Sequence, residues 1–231
     1  MKLHRFYIAD TKLVEDLVID DKAYTHQWTK VLRFRVGRGI ALFNNDGVEY
    51  LYVITMIDKF GVRLRRNTEI KVPKPHKEVH LCFSLLKKDK NDWVLQKATE
   101  LGVSHFVPLL CDRTEKTGFD ENRARKIVVE AAEQCGRVDI PTVLEPITPQ
   151  KLLEKLSPGV ELFVAEQGSP QLNLSLNSLP QESVAILIGP EGGWSDQEKQ
   201  LFNEKEVKHI SLSNFTLRAE TAAVTAAALL Q

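Results

Sequence analysis

Apolar positions fall into two regimes along the chain. Up to about residue 71 they form β-branched and aromatic runs. Gly39 to Phe43 and Val48 to Ile57 are two such runs, joined by Asn44-Asn45-Asp46-Gly47, and Asp-Gly between strands favours the positive-φ turn of a hairpin. Val62 to Leu64 follows Gly61 as a further strand, and Tyr24 to Leu32 reads as a short helix. Arg33, Arg35 and Arg38 alternate with Phe34 and Val36 as on a strand with one basic face; a plain solvated face fits equally. Together these elements predict a small β-barrel of a kind that often binds nucleic acid. Lys71-Val72-Pro73-Lys74-Pro75-His76-Lys77 then reads as an extended linker.

Beyond it the period switches back and forth. Val79 to Leu86, Val103 to Leu110, Val160 to Ala165, Val184 to Ile188 and Val207 to Leu212 are strand candidates. Between them, Asn91 to Leu101 is helical, with Val94, Leu95, Ala98 and Leu101 on one side and Gly102 as its stop. Glu121 to Cys135 is the best helix: Ala124, Ile127, Val128, Ala131, Ala132 and Cys135 keep the spacing of one apolar stripe, and Gly136 ends it. Leu152 to Leu156 is a short helix, and Arg218 to Leu230 closes the chain as an alanine-rich one. Strands alternating with helices predict an α/β fold: a parallel sheet with helices on both faces.

Composition narrows this little. At 231 residues, with 43% apolar residues, the chain is an ordinary globular protein of one large or two modest domains. No run is long enough to cross a membrane, and Met1 to Asp10 lacks the apolar core of a signal peptide. Cys82, Cys111 and Cys135 fit neither a disulfide framework nor a zinc site, and the six histidines show no metal-ligand spacing, so no metal is expected. A reducing cytoplasm is the simplest location. The net charge is zero, but residues 1–75 hold 14 Lys+Arg against 9 Asp+Glu and the remainder 17 against 22. The first part is therefore the one that suits an anionic partner.

Chemistry concentrates in the last third. Ile186-Leu187-Ile188 runs into Gly189-Pro190-Glu191-Gly192-Gly193, and then into a helix start marked by the capping-box pair Ser195 and Glu198. Glu166-Gln167-Gly168 and Leu212-Ser213-Asn214-Phe215-Thr216-Leu217-Arg218 also follow predicted strands. In an open parallel sheet these strand ends share one edge, where ligands bind. No Gly-x-Gly-x-x-Gly opens a helix and no Gly-Lys-Ser/Thr loop is present, which weighs against dehydrogenases and NTPases. Glu191 inside the glycine turn would repel a phosphate and tolerate a neutral or cationic ligand. Arg218 stands where a helix dipole disfavours a cation, which points to a substrate or partner contact. The run Lys87, Lys88 and Lys90 reads as a solvated loop, and Lys97 with Glu100 as a surface pair. There is no Gly-x-Ser-x-Gly elbow, and Cys135 lies on an apolar helix face, so covalent catalysis is not indicated.

Four ordered segments carry a family resemblance: Gln96-Lys97-Ala98-Thr99-Glu100-Leu101-Gly102-Val103; Glu130-Ala131-Ala132-Glu133-Gln134-Cys135-Gly136-Arg137 with Pro141; Ile188-Gly189-Pro190-Glu191-Gly192-Gly193; and Leu217-Arg218-Ala219-Glu220-Thr221-Ala222. With Arg5-Phe6-Tyr7 and Val31-Leu32-Arg33 near the start, nearly the whole chain resembles the RsmE-type ribosomal RNA methyltransferases of the SPOUT class. The resemblance implies a PUA-like RNA-binding β-barrel over residues 1–72 and an α/β methyltransferase domain with a trefoil knot over residues 73–231. It implies methylation of N3 of a uridine in small-subunit (16S) ribosomal RNA, with S-adenosylmethionine as cofactor, by a homodimer. Carried over by motif, Glu166, Ile188, Gly189, Gly193, Leu212, Ser213, Asn214 and Leu217 line the cofactor pocket. Ser213 and Asn214 stand where the family usually has glycine. Arg218 and Glu191 are the catalytic candidates, and Arg5, Arg33, Lys87, Lys97, Arg113 and Arg137 the cations for RNA. A sulfonium and an ammonium without phosphate suit a glycine turn that carries a carboxylate. Two other readings remain: a non-catalytic RNA-binding or ribosome-assembly protein, and an enzyme of the same fold acting on another RNA base.

Overall fold

A computed structural model of the chain describes residues 3–73, 75, 77–87, 89–115, 118–170 and 183–230. Lys74 and His76 of the expected linker, and Lys88, lie outside them. The chain divides into two compact units, Met1–Lys74 with Ala132–Ile140, and Pro75–Ala131 with Pro141–Gln231.

The first unit is built on a five-stranded sheet. Its strands are β1 (Arg5–Tyr7), β2 (Asp16–Ile19), β3 (Gly39–Phe43), β4 (Val48–Asp58) and β5 (Gly61–Lys71), in the order β1-β3-β4-β5-β2. β1 runs parallel to β3 and the other pairs are antiparallel. Along β5, Val62 and Leu64 are buried while Arg63 and Arg65 are exposed, the alternation of a sheet with one wet face. The β4–β5 register shifts twice, at Leu51/Tyr52 and Ile54/Met56, and such bulges bend a strand pair. Gly61 opens β5 at φ +134°, where a Cβ would stand 2.4 Å from the Ile19 carbonyl oxygen. Trp28, Phe6, Phe34, Ile40, Leu42, Tyr52, Ile54 and Leu64 fill the core.

Two expectations for this unit are corrected. The helix expected over Tyr24–Leu32 is a short α-helix, α1 (Lys22–His26), capped by Asp21 and continued by a π-helical turn over Gln27–Val31. Arg33, Arg35 and Arg38 do not lie on a strand; of the two readings, the plain solvated face holds for Arg33 and Arg35, which are exposed. Arg33 (φ 53°) and Gly37 (φ 86°) turn the backbone out of extended geometry, and only Phe34 among them points into the core. β1 and β2, three and four residues long, are too short for their alternation to mark them as strands in the sequence. The residues 132–140 complete this unit: Ala132 and Val138 pack with Phe43, the Tyr7 N–H donates to Glu133 at 2.9 Å, and the Ile140 N–H donates to Asn45 at 2.8 Å.

The second unit contains a six-stranded, wholly parallel sheet in the order β11-β9-β10-β6-β7-β8. These are β6 (Glu78–Ser84), β7 (His105–Leu109), β8 (Thr142–Val143), β9 (Glu161–Ala165), β10 (Ser183–Ile188) and β11 (Lys208–Ile210). The central strand is apolar without alternation: Val184, Ala185, Ile186, Leu187 and Ile188 are all buried, as both faces must be covered. On one face Cys82, Val107, Ala185 and Leu187 pack with Leu152 of α4 (Pro149–Lys155) and Phe202 of α5 (Asp196–Glu204). On the other, α6 (Ala219–Leu229) lies against β6, β10 and α2 (Lys90–Glu100). The alanines Ala223, Ala226 and Ala227 are buried. The remaining helix, α3 (Glu121–Cys135), keeps its expected bounds. No described helix is long and apolar enough to cross a membrane.

Candidate functional site

β9, β10 and β11 end side by side, and the segments that follow them enclose a cleft of ≈ 550 Å³ in the second unit. Of the residues assigned to the cofactor or to catalysis, Glu166, Ile188, Gly189, Glu191, Gly193, Leu212, Ser213, Leu217 and Arg218 line it. Asn214 is exposed and is not part of the lining. Three polypeptide segments separated by tens of residues thus meet at one sheet edge, as parallel topology requires.

The glycine turn is fixed from behind. Trp194 is buried, stands edge-on to Phe202 at 4.9 Å between centroids, and donates from Nε1 to the Ala165 carbonyl at 3.3 Å. A Cβ at Gly189 would lie 2.9 Å from Cε2 of that indole, so only glycine fits beneath it. Gly193, at φ 70°, closes the turn with its N–H on the Pro190 carbonyl at 2.9 Å. Arg113, expected to contact RNA, lines the cleft and donates from Nη1 to the Gly192 carbonyl at 2.9 Å. The capping box is formed: Ser195 Oγ accepts from the Glu198 N–H and Glu198 Oε2 from the Ser195 N–H. The other oxygen of Glu198 accepts the Asp112 N–H at 3.0 Å, and Ser195 donates to the Asp112 carboxylate. One buried carboxylate therefore ties the 111–115 segment to the start of α5.

Glu166, just past β9, is held by Lys199 at 2.7 Å and by His209 Nδ1 at 2.8 Å. Burial pushes its carboxyl upward, but the Lys199 and His209 hydrogen bonds outweigh it and the net shift is down. Glu191 is not a free charge. Lys90 Nζ bridges it at 3.2 Å to Glu220 at 3.1 Å. Lys90, expected in a solvated loop, in fact opens α2 and joins the glycine turn to the first turn of α6. Glu220 is raised by burial and lowered more strongly by its backbone hydrogen bond and by Lys90, and ends below the usual range. Ser213 solves its departure from glycine locally. Neither it nor Asn214 has positive φ, and its hydroxyl accepts the Phe215 N–H at 3.1 Å. Phe215, 80% exposed, stands in the lining. Arg218 is the N-cap of α6, makes no side-chain cap, and lines the cleft.

The other cations expected to meet RNA are spread over both units. Arg5 pairs with Glu49 at 2.5 Å, Arg137 with Asp139 at 2.5 Å, and Lys97 with Glu100 at 2.8 Å. Lys87 pairs with Glu115, and Arg33 is exposed. Sequence reasoning missed Lys90, Trp194, Lys199, His209 and Phe215. Trp194 and Phe215 sit inside segments already singled out; the others act from separate elements.

A family model described as RNA methyltransferase domain matches residues 73–231, and one described as RNA methyltransferase PUA domain matches residues 29–65. A protein of Rickettsia conorii named ribosomal RNA small subunit methyltransferase E is 33% identical, over 99% of this chain and 95% of that protein. Two solved structures superpose on nearly the whole chain. A putative methyltransferase from Legionella pneumophila in complex with bound cofactor SAM has a TM-score of 0.87 and 29% identity, covering 100% of this chain and 98% of that one. A ribosomal RNA small subunit methyltransferase E from Neisseria gonorrhoeae bound to S-adenosyl methionine has a TM-score of 0.86 and 27% identity, covering 98% and 96%. With a cleft at the strand ends, a turn that only glycine can make, and these matches along its full length, the chain belongs to the family of RNA methyltransferases that carry a PUA domain and are named ribosomal RNA small subunit methyltransferase E.

Proposed function

We propose that this protein binds S-adenosylmethionine in the cleft at the ends of β9, β10 and β11 and methylates N3 of a uridine in small-subunit (16S) ribosomal RNA. The convergence of Glu166, the Gly189–Gly193 turn and Leu217-Arg218 on one cavity carries the reading. The lining suits this ligand. Ile188, Leu212 and Leu217 offer apolar surface to an adenine, and the volume falls within the roughly 300–1,000 Å³ of small-molecule sites. Glu166, kept ionised by Lys199 and His209, places in the wall a carboxylate that can accept hydrogen bonds from the ligand's hydroxyl or ammonium groups, while Arg113, Lys199 and Arg218 in the same lining balance the acidic charge. Bound there, the cofactor supplies an activated methyl group on a sulfonium.

The residues of the chain then position and polarise. Uracil N3 must lose its proton to become a nucleophile. Glu191 and Glu220 share Lys90, and Glu220 is held below the usual carboxylate range, which makes it a weak base. The N3 proton passes to solvent water, and the Arg218 guanidinium stabilises the uracil anion that remains. Residues 1–72 serve as the RNA-binding domain and 73–231 as the catalytic domain, with Arg5, Arg33, Lys87, Lys97, Arg113 and Arg137 as RNA contacts. The return of α6 from edge strand β11 to the middle of the sheet supports a knotted chain end of the SPOUT kind. A homodimer in the cytoplasm completes the proposal.

The test is to incubate unmethylated small subunits with the protein and cofactor and to map the modified nucleotide by mass spectrometry. A single N3-methyluridine is expected, with turnover cut severely in Arg218→Ala. Absence of cofactor binding in calorimetry at millimolar ligand would overturn the enzymatic reading.

A further inference from the structure

On the opposite edge of the parallel sheet, where strands begin, β6, β7 and β10 start with Glu78, His105 and Ser183. Glu78 and His80 are two apart on β6 and so project to one face; His80 is the register partner of His105 on β7. That face is the one α4 covers, and beside it opens a second cleft, of ≈ 1210 Å³, lined by Glu78, His80, His105 and Ser183. The two imidazoles stack at 4.3 Å between centroids and 16° between planes. His105 Nε2 meets Glu78 Oε1 at 2.6 Å. One ligand atom from each of the three residues falls within 4.8 Å of the other two. None of them touches the cleft assigned to the cofactor, which is at the other end of the strands.

We propose that Glu78, His80 and His105 form a binding site for a divalent transition-metal ion of the zinc class. Two imidazole nitrogens and one carboxylate oxygen are the donor set that borderline ions such as Zn²⁺ and Co²⁺ prefer over Mg²⁺ or Ca²⁺. Two adjustments bring the donors together: the stacked rings tilt out of parallel so that one ion lies in the plane of both, and donors as far as 4.8 Å apart close. Zinc bonds of about 2.0–2.2 Å at a tetrahedral angle put neighbouring donors about 3.3 Å apart, so the 2.6 Å His105–Glu78 contact opens by a fraction of an ångström. The Glu78 side chain is 53% exposed and has room to move; strand register sets the His80 and His105 backbones side by side, and their rings turn about the side-chain bonds. The ion takes the place of the hydrogen bond between His105 Nε2 and Glu78 Oε1. The remaining coordination position opens into the cleft, whose lining includes Lys151 and Lys155, and water or a small anion completes the shell. The site lies far from any methyl transfer in this fold and is independent of the cofactor reading.

The probe is the metal alone. Chelator-treated protein is titrated with Zn²⁺ by calorimetry and with Co²⁺ by visible absorption. The expected result is one ion per chain, a four-coordinate Co²⁺ spectrum, and weakening by at least about tenfold, or about 1.4 kcal/mol, in His105→Gln and in His80→Gln. Glu78→Gln, on an exposed side chain, is the variant least able to disturb folding, and circular dichroism checks all three. In the unsubstituted protein, Zn²⁺ is expected to shift the ring resonances of His80 and His105 before those of other histidines. Equal affinity in the variants, shifts centred on other residues, or no uptake by the unsubstituted protein would each overturn the proposal.

Discussion

The ammonium of Lys90 lies 3.2 Å from the Glu191 carboxylate, across 101 residues of sequence. The same nitrogen holds Glu220 at 3.1 Å, so one cation at the start of α2 links the glycine turn to α6. The exposed Lys90–Glu191 pair contributes only about 0–1 kcal/mol to folding, so the role of Lys90 there lies in where it keeps Glu191. Lys90→Met is expected to leave Tm within a few degrees of the parent while weakening S-adenosylmethionine binding several-fold. Calorimetry and thermal unfolding on the same sample check this. A loss of stability without a change in affinity would show that the bridge is structural alone.

Gly189 is the tightest point of the turn. Its φ is not positive, so an alanine there meets no backbone penalty; it meets the Trp194 ring at 2.9 Å. Overpacking of this sort costs about 1–3 kcal/mol. Gly189→Ala is expected to lower Tm and abolish cofactor binding, and a second substitution, Trp194→Leu, to recover part of the stability by making room. That recovery would appear as non-additivity in a double-mutant cycle of urea unfolding. Additive losses would place the cost elsewhere.

What the sequence disclosed, and what it hid, follows from the range of the interactions. The glycine turn was legible because its causes are local: an apolar strand, three glycines, and a capping pair three residues apart. The bounds of α3 were legible because fifteen residues sustain one stripe and Gly136 stops it at φ 88°. Lys90, Lys199 and His209 were hidden because each reaches the site from another element, and no spacing rule joins residue 90 to 191 or 209 to 166. His80 and His105 show no ligand spacing along the chain; strand register alone makes them neighbours. Arg33, Arg35 and Arg38 misled because alternation also arises by chance in a turn, and Gly37 was the residue that marked one.

The stacked histidines carry a pH signature of their own. Burial, then the neighbouring charge of His105, pushes the His80 imidazole down to about 4, with Glu78 pulling the other way. Its unfolded value is about 6.5. The unfolded chain therefore takes up this proton first as the pH falls. The stabilising contribution of neutral His80 is complete above about 6.5 and is lost progressively toward about 4. In chelator-treated protein the His80 ring resonance is expected to titrate with a midpoint near 4. Unfolding free energy should fall between pH 6.5 and 4 more steeply than in His80→Asn, the comparison that separates it from the carboxylates. A midpoint near 6.5 would mean that the ring is solvated.

Glu198 offers the sharpest test of how the cleft is held. It is 5% exposed, and its two oxygens accept two backbone N–H groups, Ser195 at 2.8 Å and Asp112 at 3.0 Å. Glu198→Ala strands both donors, at about 1–3 kcal/mol for each buried group left without a partner. A Tm drop of about 5–10 °C is expected for a chain of this length. Glu198→Gln is nearly isosteric but does not rescue: it keeps one acceptor and turns an NH₂ toward the other N–H, so its Tm should lie nearer to alanine than to the parent. Asn203→Ala, on an exposed position of the same helix, controls for helix propensity and should cost under about 0.5 kcal/mol. Because the 111–115 segment also carries Arg113, whose guanidinium holds the Gly192 carbonyl, cofactor affinity should fall with Glu198→Ala even well below its Tm. A glutamine variant as stable as the parent would show that the carboxylate charge and its second acceptor are not what fastens this segment to α5.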